Sequence, residues 1–285
     1  MKKTPVVNLM IIGAQKSATS SLFDLLKSHP QMAPCLTKEP QFFSHDSEWR
    51  KHVDKYEAKF PKKIGQIAFE ASTSYSSYPH HETEVWKKIH EYNPDAKIIY
   101  ILRNPVDRII SGHRFLYKRG FTGEKNINKF LENHDYHINL SKYYLQIHPY
   151  IETFGSENVQ ILFFEDFVEN IDSIKMSVAN FLQIDVNLFS TLKAPKTNTK
   201  ERTLERVTKI NRFERLVLMY SKKISFRLHQ KIRKTLLVRR VNEKDLILTN
   251  DSLRLIHTNI NEDIKSLETL TQRDLSNWKK KFQNL

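Results

Sequence analysis

The sequence predicts an α/β fold: a parallel β-sheet flanked by helices on both faces. Three observations predict it. Short apolar runs recur at 6–12, 66–71, 97–102 and 158–164. Segments with apolar residues three and four apart lie between them. The intervals leave room for the crossover helices that parallel strands require. Strands buried on both faces read as near-continuous apolar runs, and Lys-Ile-Ile-Tyr-Ile-Leu at 97–102 is the clearest.

In chain order, Val6, Val7 and Leu9 to Ile12 form the first strand, which ends at Gly13 and Ala14. Gln15, Lys16, Ser17, Ala18, Thr19, Ser20 and Ser21 then open a helix that continues through Leu22, Phe23, Leu25 and Leu26. His29-Pro30 breaks the chain, and Pro34 and Pro40 keep the next segment extended or turning. A second strand at 66–71 is followed by a loop at 72–79 and a helix at 82–92 that stops before Asn93-Pro94. The strand at 97–102 runs into Arg103-Asn104-Pro105, where Pro105 suits the start of a helix marked by Val106, Ile109, Ile110 and Phe115. A long helix is expected at 141–154, before the strand at 158–164.

The 285 residues suit one domain over 1–285, with a core that needs no covalent staples. Cys35 is the only cysteine, which excludes an internal disulfide and a cysteine-based metal cluster. The apolar run after Met-Lys-Lys is short, contains Asn8 and leads into the 13–20 loop instead of a cleavage site. No stretch approaches the roughly 18 apolar residues of a membrane span. The expectation is a soluble, cytoplasmic protein.

Charge is unevenly spread. Of the net +14, sixteen basic and three acidic residues between 193 and 240 supply +13. Within 203–240, Leu204, Val207, Ile210, Phe213, Leu216, Val217 and Tyr220 recur at spacings of three and four, which reads as a basic amphipathic helical insertion. It is either the charged face of helices packed on the core, or an arm that guides an acidic acceptor or rests on an anionic membrane surface at the inner face. It carries no nucleic-acid recognition motif, and the rest of the chain is near neutral, so no nucleic-acid partner is expected.

Two segments carry the chemistry. At 13–20 a strand, a small-residue loop and a helix start bring backbone N–H groups, hydroxyls and the Lys16 ammonium to one point, an arrangement suited to an anion. It is not a Walker A loop, because there is no Gly-Lys pair and position 18 is Ala. At 103–111, Arg103 offers a planar fork of donors at a strand end, and Ser111 follows two turns along the next helix. The other reading is that Arg103, Asp107 and Arg108 form surface ion pairs at that helix start. Both segments follow strands, so both belong on the carboxyl rim where parallel sheets bind ligands. A nucleotide with two phosphate groups would bridge them.

These residues resemble the family of sulfotransferases that use 3′-phosphoadenosine 5′-phosphosulfate (PAPS), in the branch containing the heparan sulfate sulfotransferases and bacterial relatives. Gly-Ala-Gln-Lys-Ser-Ala-Thr-Ser-Ser-Leu at 13–22 resembles the loop that holds the 5′-phosphosulfate. Leu-Arg-Asn-Pro-Val-Asp-Arg-Ile-Ile-Ser at 102–111 resembles the 3′-phosphate element, with Arg103 and Ser111 at the phosphate contacts. Lys38-Glu39-Pro40-Gln41-Phe42-Phe43 resembles the acceptor-side motif, and Ile161 to Phe167 and Arg273 to Trp278 match further landmarks. The resemblance covers about 6–280 and implies the P-loop-nucleotide-kinase-like sulfotransferase fold, with sulfuryl transfer to a hydroxyl or amine of a carbohydrate or other small acceptor.

It implies roles as well. Lys16 would stabilise the leaving oxygen and Glu39 would take the acceptor proton; Gly13 to Ser20, Arg103 and Ser111 would hold the nucleotide. Partial burial against Phe42 and Phe43 is expected to raise the Glu39 pKa. Lys38 and Glu70 fall on the acceptor side, and Glu70 is the rival base or a structural acceptor that orients Lys16 or loop amides. Lys200 and Arg202 sit where the family closes over the nucleotide. Ala71 stands where the carbohydrate branch often has Lys, and a single cysteine excludes the disulfide-closed late loop of the Golgi enzymes. No metal is implied, since His29, His45, His80 and His81 show no ligand spacing, and His80-His81 reads as a solvated loop. The alternatives are a nucleotide kinase, which lacks its Gly-Lys-[Ser/Thr], and a basic nucleic-acid module suggested by charge alone.

Overall fold

The computed structural model describes residues 4–81, 84–189 and 241–283. The basic stretch 203–240 read as amphipathic helices, and Lys200 and Arg202, lie outside the described residues. Five strands form one parallel sheet: β1 (Val7–Gly13), β2 (Met32–Pro34), β3 (Ile67–Ala71), β4 (Lys97–Leu102) and β5 (Val159–Phe163), in the order β2-β3-β1-β4-β5. The helices in chain order are α1 (Thr19–Lys27), α2 (Phe42–His45), α3 (Trp49–Glu57), α4 (Val85–Tyr92), α5 (Pro105–Lys118), α6 (Ile127–Asn133), α7 (Tyr136–Asn139), α8 (Tyr143–Phe154), α9 (Phe164–Glu169), α10 (Ile171–Leu182), α11 (Asn250–Thr271) and α12 (Ser276–Lys279).

The continuous apolar strands divide their side chains between two cores. Met10 and Ile12 of β1 and Ile98, Tyr100 and Leu102 of β4 enter one core with Phe43, Tyr56, Ile147, Tyr150 and the buried face of α11. Leu9, Ile11, Ile99 and Ile101 face the other, against Leu22, Leu25 and Leu26 of α1 and Val178 and Leu182 of α10. Alternation along a strand that is covered on both sides is why the sequence shows no polar face there.

Sequence expectation and structure agree on β1, β3, β4 and β5 and on the helix starting at Pro105. The helix expected at 141–154 begins at Tyr143. Sequence reading passed over α3, α10 and α11. In α11 the buried side chains Ile256, Ile260, Ile264 and Leu267 form one stripe, separated by polar residues that obscure it in the linear chain. Asp263 on that helix caps the start of α8, accepting from the N–H groups of Tyr144 (3.0 Å) and Leu145 (2.9 Å). Burial pushes its carboxyl up to about 6. Ile260 is fully buried, so Ile260→Ala is expected to cost about 2–5 kcal/mol through the cavity it leaves. The readout is a lower urea midpoint at unchanged slope.

The two late landmarks meet in space. Arg273 grips Asp166 of α9 with both arms of its fork (2.5 and 2.6 Å), and its guanidinium lies 4.0 Å over the Phe163 ring. Trp278 of α12 packs on Phe163 and Tyr143, and the Tyr143 hydroxyl donates to the Arg103 carbonyl at 2.7 Å. The last described helix therefore braces the backbone at the end of β4.

Candidate active site

The carboxyl ends of the parallel strands β1 and β4 bring the segments beginning at Gly13 and at Arg103 to one rim. β1 ends at Gly13, where a Cβ would run into the Ser76 hydroxyl and come within 2.8 Å of the Tyr100 ring, so the close approach itself requires glycine. The Ala14 N–H donates to the Ile101 carbonyl (2.8 Å), and the Ser17 N–H to the Ala14 carbonyl (3.2 Å). Lys16 and Ala18 both adopt left-handed φ, 73° and 69°. Such strained backbone in non-glycine residues clusters at ligand clamps. Ala18 is the N-cap of α1, and among the described residues no side chain caps that helix, which leaves its first N–H groups open to a ligand. Ser17 is fully buried, and among the described residues its hydroxyl, like Gln15 Oε1, has no hydrogen-bond partner.

Arg103 joins the two anion segments. Its Nη1 donates to the Lys16 carbonyl at 3.1 Å, and its guanidinium lies 4.3 Å over the Phe164 ring. The Lys16 ammonium lies 4.7 Å over the ring of Phe115, which also carries Arg119 at 5.5 Å on α5. Ser111 precedes Phe115 by four residues and so shares its helix face. Burial first, then the charges of Arg103, Arg119, Lys38 and Arg114, lower the Lys16 pKa to about 8. Arg114 pairs with Glu243 and Lys38 with Glu39. Among the described residues Lys16, Arg103 and Arg119 have no carboxylate partner within ion-pair distance. Three crowded cations with no carboxylate partner among the described residues, beside the start of α1, make an arrangement suited to a polyanion.

The ion-pair reading of 103–108 holds for Asp107 and fails for Arg103 and Arg108. Arg108 is fully buried and donates to Ser141 Oγ (2.7 Å) and the His137 carbonyl, while Asp107 pairs with Lys281. Asn104, in turn, caps α5 by accepting from the Val106 N–H at 3.0 Å.

Beyond β2, Lys38 donates to Ser20 Oγ (2.6 Å) and Glu39 Oε1 (3.2 Å), bringing the acceptor-side segment to the start of α1. The expected burial of Glu39 is corrected here: its side chain is 38% exposed. Phe42 and Phe43 turn away from it, Phe42 stacking on Tyr56 and Phe43 meeting Trp49, Tyr56 and Tyr75 in the core. Gln41, with φ 53°, is where the chain turns them inward. Glu70 is fully buried and accepts from three hydroxyls, those of Tyr56, Ser72 and Tyr75, not from Lys16. Burial raises its pKa against those three bonds. The His80-His81 pair is half-buried instead of solvated, with His80 against Tyr136 and His81 against His45.

A family model, "Sulfotransferase domain", matches residues 7–266. The chain belongs to the sulfotransferase family. Heparan sulfate glucosamine 3-O-sulfotransferase 6 of Homo sapiens is 34% identical over 105 residues, which cover 36% of this chain and 29% of that protein. The bifunctional heparan sulfate N-deacetylase/N-sulfotransferase 1 of Caenorhabditis briggsae is 31% identical over 121 residues, 41% of this chain and 13% of its own. The matched stretch thus spans less than a third of either relative. The crystal structure of a sulfotransferase from Alicyclobacillus acidocaldarius superposes with a TM-score of 0.66 at 22% identity, over 96% of this chain and 98% of its own. That likeness is one of fold.

In this sulfotransferase-family chain, sequence reading missed Phe115, Arg119, Phe164 and Tyr143 as parts of the site. Phe115 was legible only as one side of a helix, and nothing local marks Phe164 or Tyr143 as supports for Arg103. Among the described residues no group of acids, histidines and cysteine could hold a metal ion, and no helix is long and apolar enough to cross a membrane.

Proposed function

We propose that this chain transfers a sulfuryl group from PAPS to a hydroxyl or amine of a glycan. The observation that carries the reading is the set of cations Lys16, Arg103 and Arg119, gathered beside the start of α1 with no carboxylate partner and no side-chain cap among the described residues. The orphaned Ser17 hydroxyl and the Gly13 approach fit a phosphate-bearing ligand in the loop. Gly13 to Ser20 would hold the 5′ end of the nucleotide, and Arg103 and Ser111 its 3′-phosphate. PAPS supplies an activated sulfuryl group. The protein's task is then positioning and charge stabilisation, as in phosphoryl transfer. Lys16 offsets negative charge that develops on the leaving oxygen.

Glu39 is the better base than Glu70. It stands exposed at the rim with Lys38 beside it, whereas Glu70 already accepts three hydroxyl protons in the core. The names of the heparan sulfate relatives support a glycan acceptor.

Calorimetry with adenosine 3′,5′-bisphosphate, with ATP as comparison, tests the donor site. Tight bisphosphate binding is expected; preference for ATP would favour a nucleotide kinase. Glu39→Gln is expected to leave bisphosphate affinity unchanged and slow transfer by about 10²–10⁴-fold. Unchanged transfer in that variant would remove Glu39 from the base role.

A further inference from the structure

Glu70 holds more than its own hydrogen bonds. Ser72 Oγ donates to Glu70 Oε2 at 2.5 Å and accepts from the Gln41 N–H at 3.0 Å. Tyr75 Oη donates to Glu70 Oε1 at 2.8 Å and accepts from the Phe43 N–H at 3.3 Å. Tyr56 Oη donates to the same Oε1 at 2.5 Å without a link to that backbone. Each hydroxyl has one proton, and a backbone N–H can only donate. For Ser72 and Tyr75 to accept from Gln41 and Phe43 with their own protons satisfied, both protons must find acceptors. An ionised carboxylate, an acceptor at both oxygens, satisfies them together.

We propose that Glu70 is the positioning residue of the acceptor-side segment: through Ser72 and Tyr75 it fixes the backbone at Gln41 and Phe43, and so sets where Glu39 stands. The inference rests on Glu39 acting as the base in the proposed transfer. A third tether needs no relay, since the Lys38 carbonyl accepts from the Ala71 N–H at 3.4 Å. The two relayed tethers fall on the left-handed Gln41 itself and two residues after it, at the turn that sends Phe42 and Phe43 inward and leaves Glu39 at the rim.

A glutamine at 70 would bring an N–H₂ where an acceptor is needed, leaving at least one hydroxyl proton buried without a partner. The test compares Glu70→Gln, Ser72→Ala, Tyr75→Phe and Tyr56→Phe. It uses amide hydrogen exchange, bisphosphate calorimetry, and turnover with PAPS and partly desulfated heparan sulfate as the acceptor probe. Exchange of the Gln41 and Phe43 amides is expected to speed up about tenfold or more in Glu70→Gln. It should rise at Gln41 in Ser72→Ala, at Phe43 in Tyr75→Phe, and at neither in Tyr56→Phe. In the first three variants kcat falls, by up to about a hundredfold for a displaced catalytic group, while bisphosphate Kd and the KM for PAPS stay at wild type. Tyr56→Phe keeps wild-type turnover.

Equal effects from Tyr56→Phe and Tyr75→Phe, or unchanged exchange and kcat in Glu70→Gln, would overturn the relay. So would bisphosphate affinity falling together with kcat. Should Glu70→Gln fail to fold, Ser72→Ala and Tyr75→Phe carry the same comparison. Absence of transfer by the wild type to this probe would count against the glycan reading, while the exchange pattern would still decide the relay.

Discussion

Lys16→Ala is expected to slow sulfuryl transfer by about two to three orders of magnitude, with a smaller loss of nucleotide affinity. The ammonium is fixed at the mouth of the loop by the left-handed backbone at 16 and by the Phe115 ring, so it needs little rearrangement to meet charge on a leaving oxygen. Its crowding by Arg103, Arg119, Lys38 and Arg114 and its burial hold its pKa near 8, so it carries its charge below that pH and loses it above. Bisphosphate affinity of the wild type should therefore fall as pH rises through about 8. An anion in the site favours the ammonium, so binding above that pH takes up a proton, and the measured heat then depends on the buffer's ionisation enthalpy. Lys16→Ala should abolish both effects. A wild-type affinity that is flat across this range would show that Lys16 does not face the bound anion.

Arg103→Ala is expected to weaken bisphosphate binding by about a hundredfold, the scale of charge-assisted, two-armed recognition of a phosphate. The loss has two sources. In the proposed site the guanidinium would contact the phosphate directly, and it supports the backbone of Lys16 through the 3.1 Å bond to that carbonyl. Arg103→Lys should recover little, because an ammonium cannot lie flat on Phe164, hold the Lys16 carbonyl and present two parallel donors together. Calorimetry on both variants checks this. Full recovery in Arg103→Lys would mean that charge alone suffices there.

The parts of this site that were readable in the sequence are those built from consecutive residues. A strand running into Gly13, Lys16 and Ser17 and a strand running into Arg103 and Pro105 announce their geometry locally, because the loop conformation follows from strand end and helix start. The burial expected of Glu39 fails for the opposite reason. Neighbouring Phe42 and Phe43 suggested burial, but the left-handed Gln41 separates their direction from that of Glu39, and nothing in Gln itself announces that turn. Phe115, Phe164 and the three hydroxyls around Glu70 depend on elements brought together from distant stretches of chain. The long helix at 250–271 shows a third limit, since a narrow apolar stripe with polar residues between its members gives a weak linear signal.

The bracing of Arg103 by Tyr143, and of Tyr143 by Trp278, bears on how the protein is made. The sheet and the 13–20 loop are encoded early and can pair while the ribosome is still translating. Arg273, which clasps Asp166, and the Trp278 ring are translated after all five strands. A nascent chain can thus hold its strands in order well before its anion pocket is firm. The backbone at Arg103 is braced only once Tyr143 and Trp278, the second of them translated after every strand, are in place.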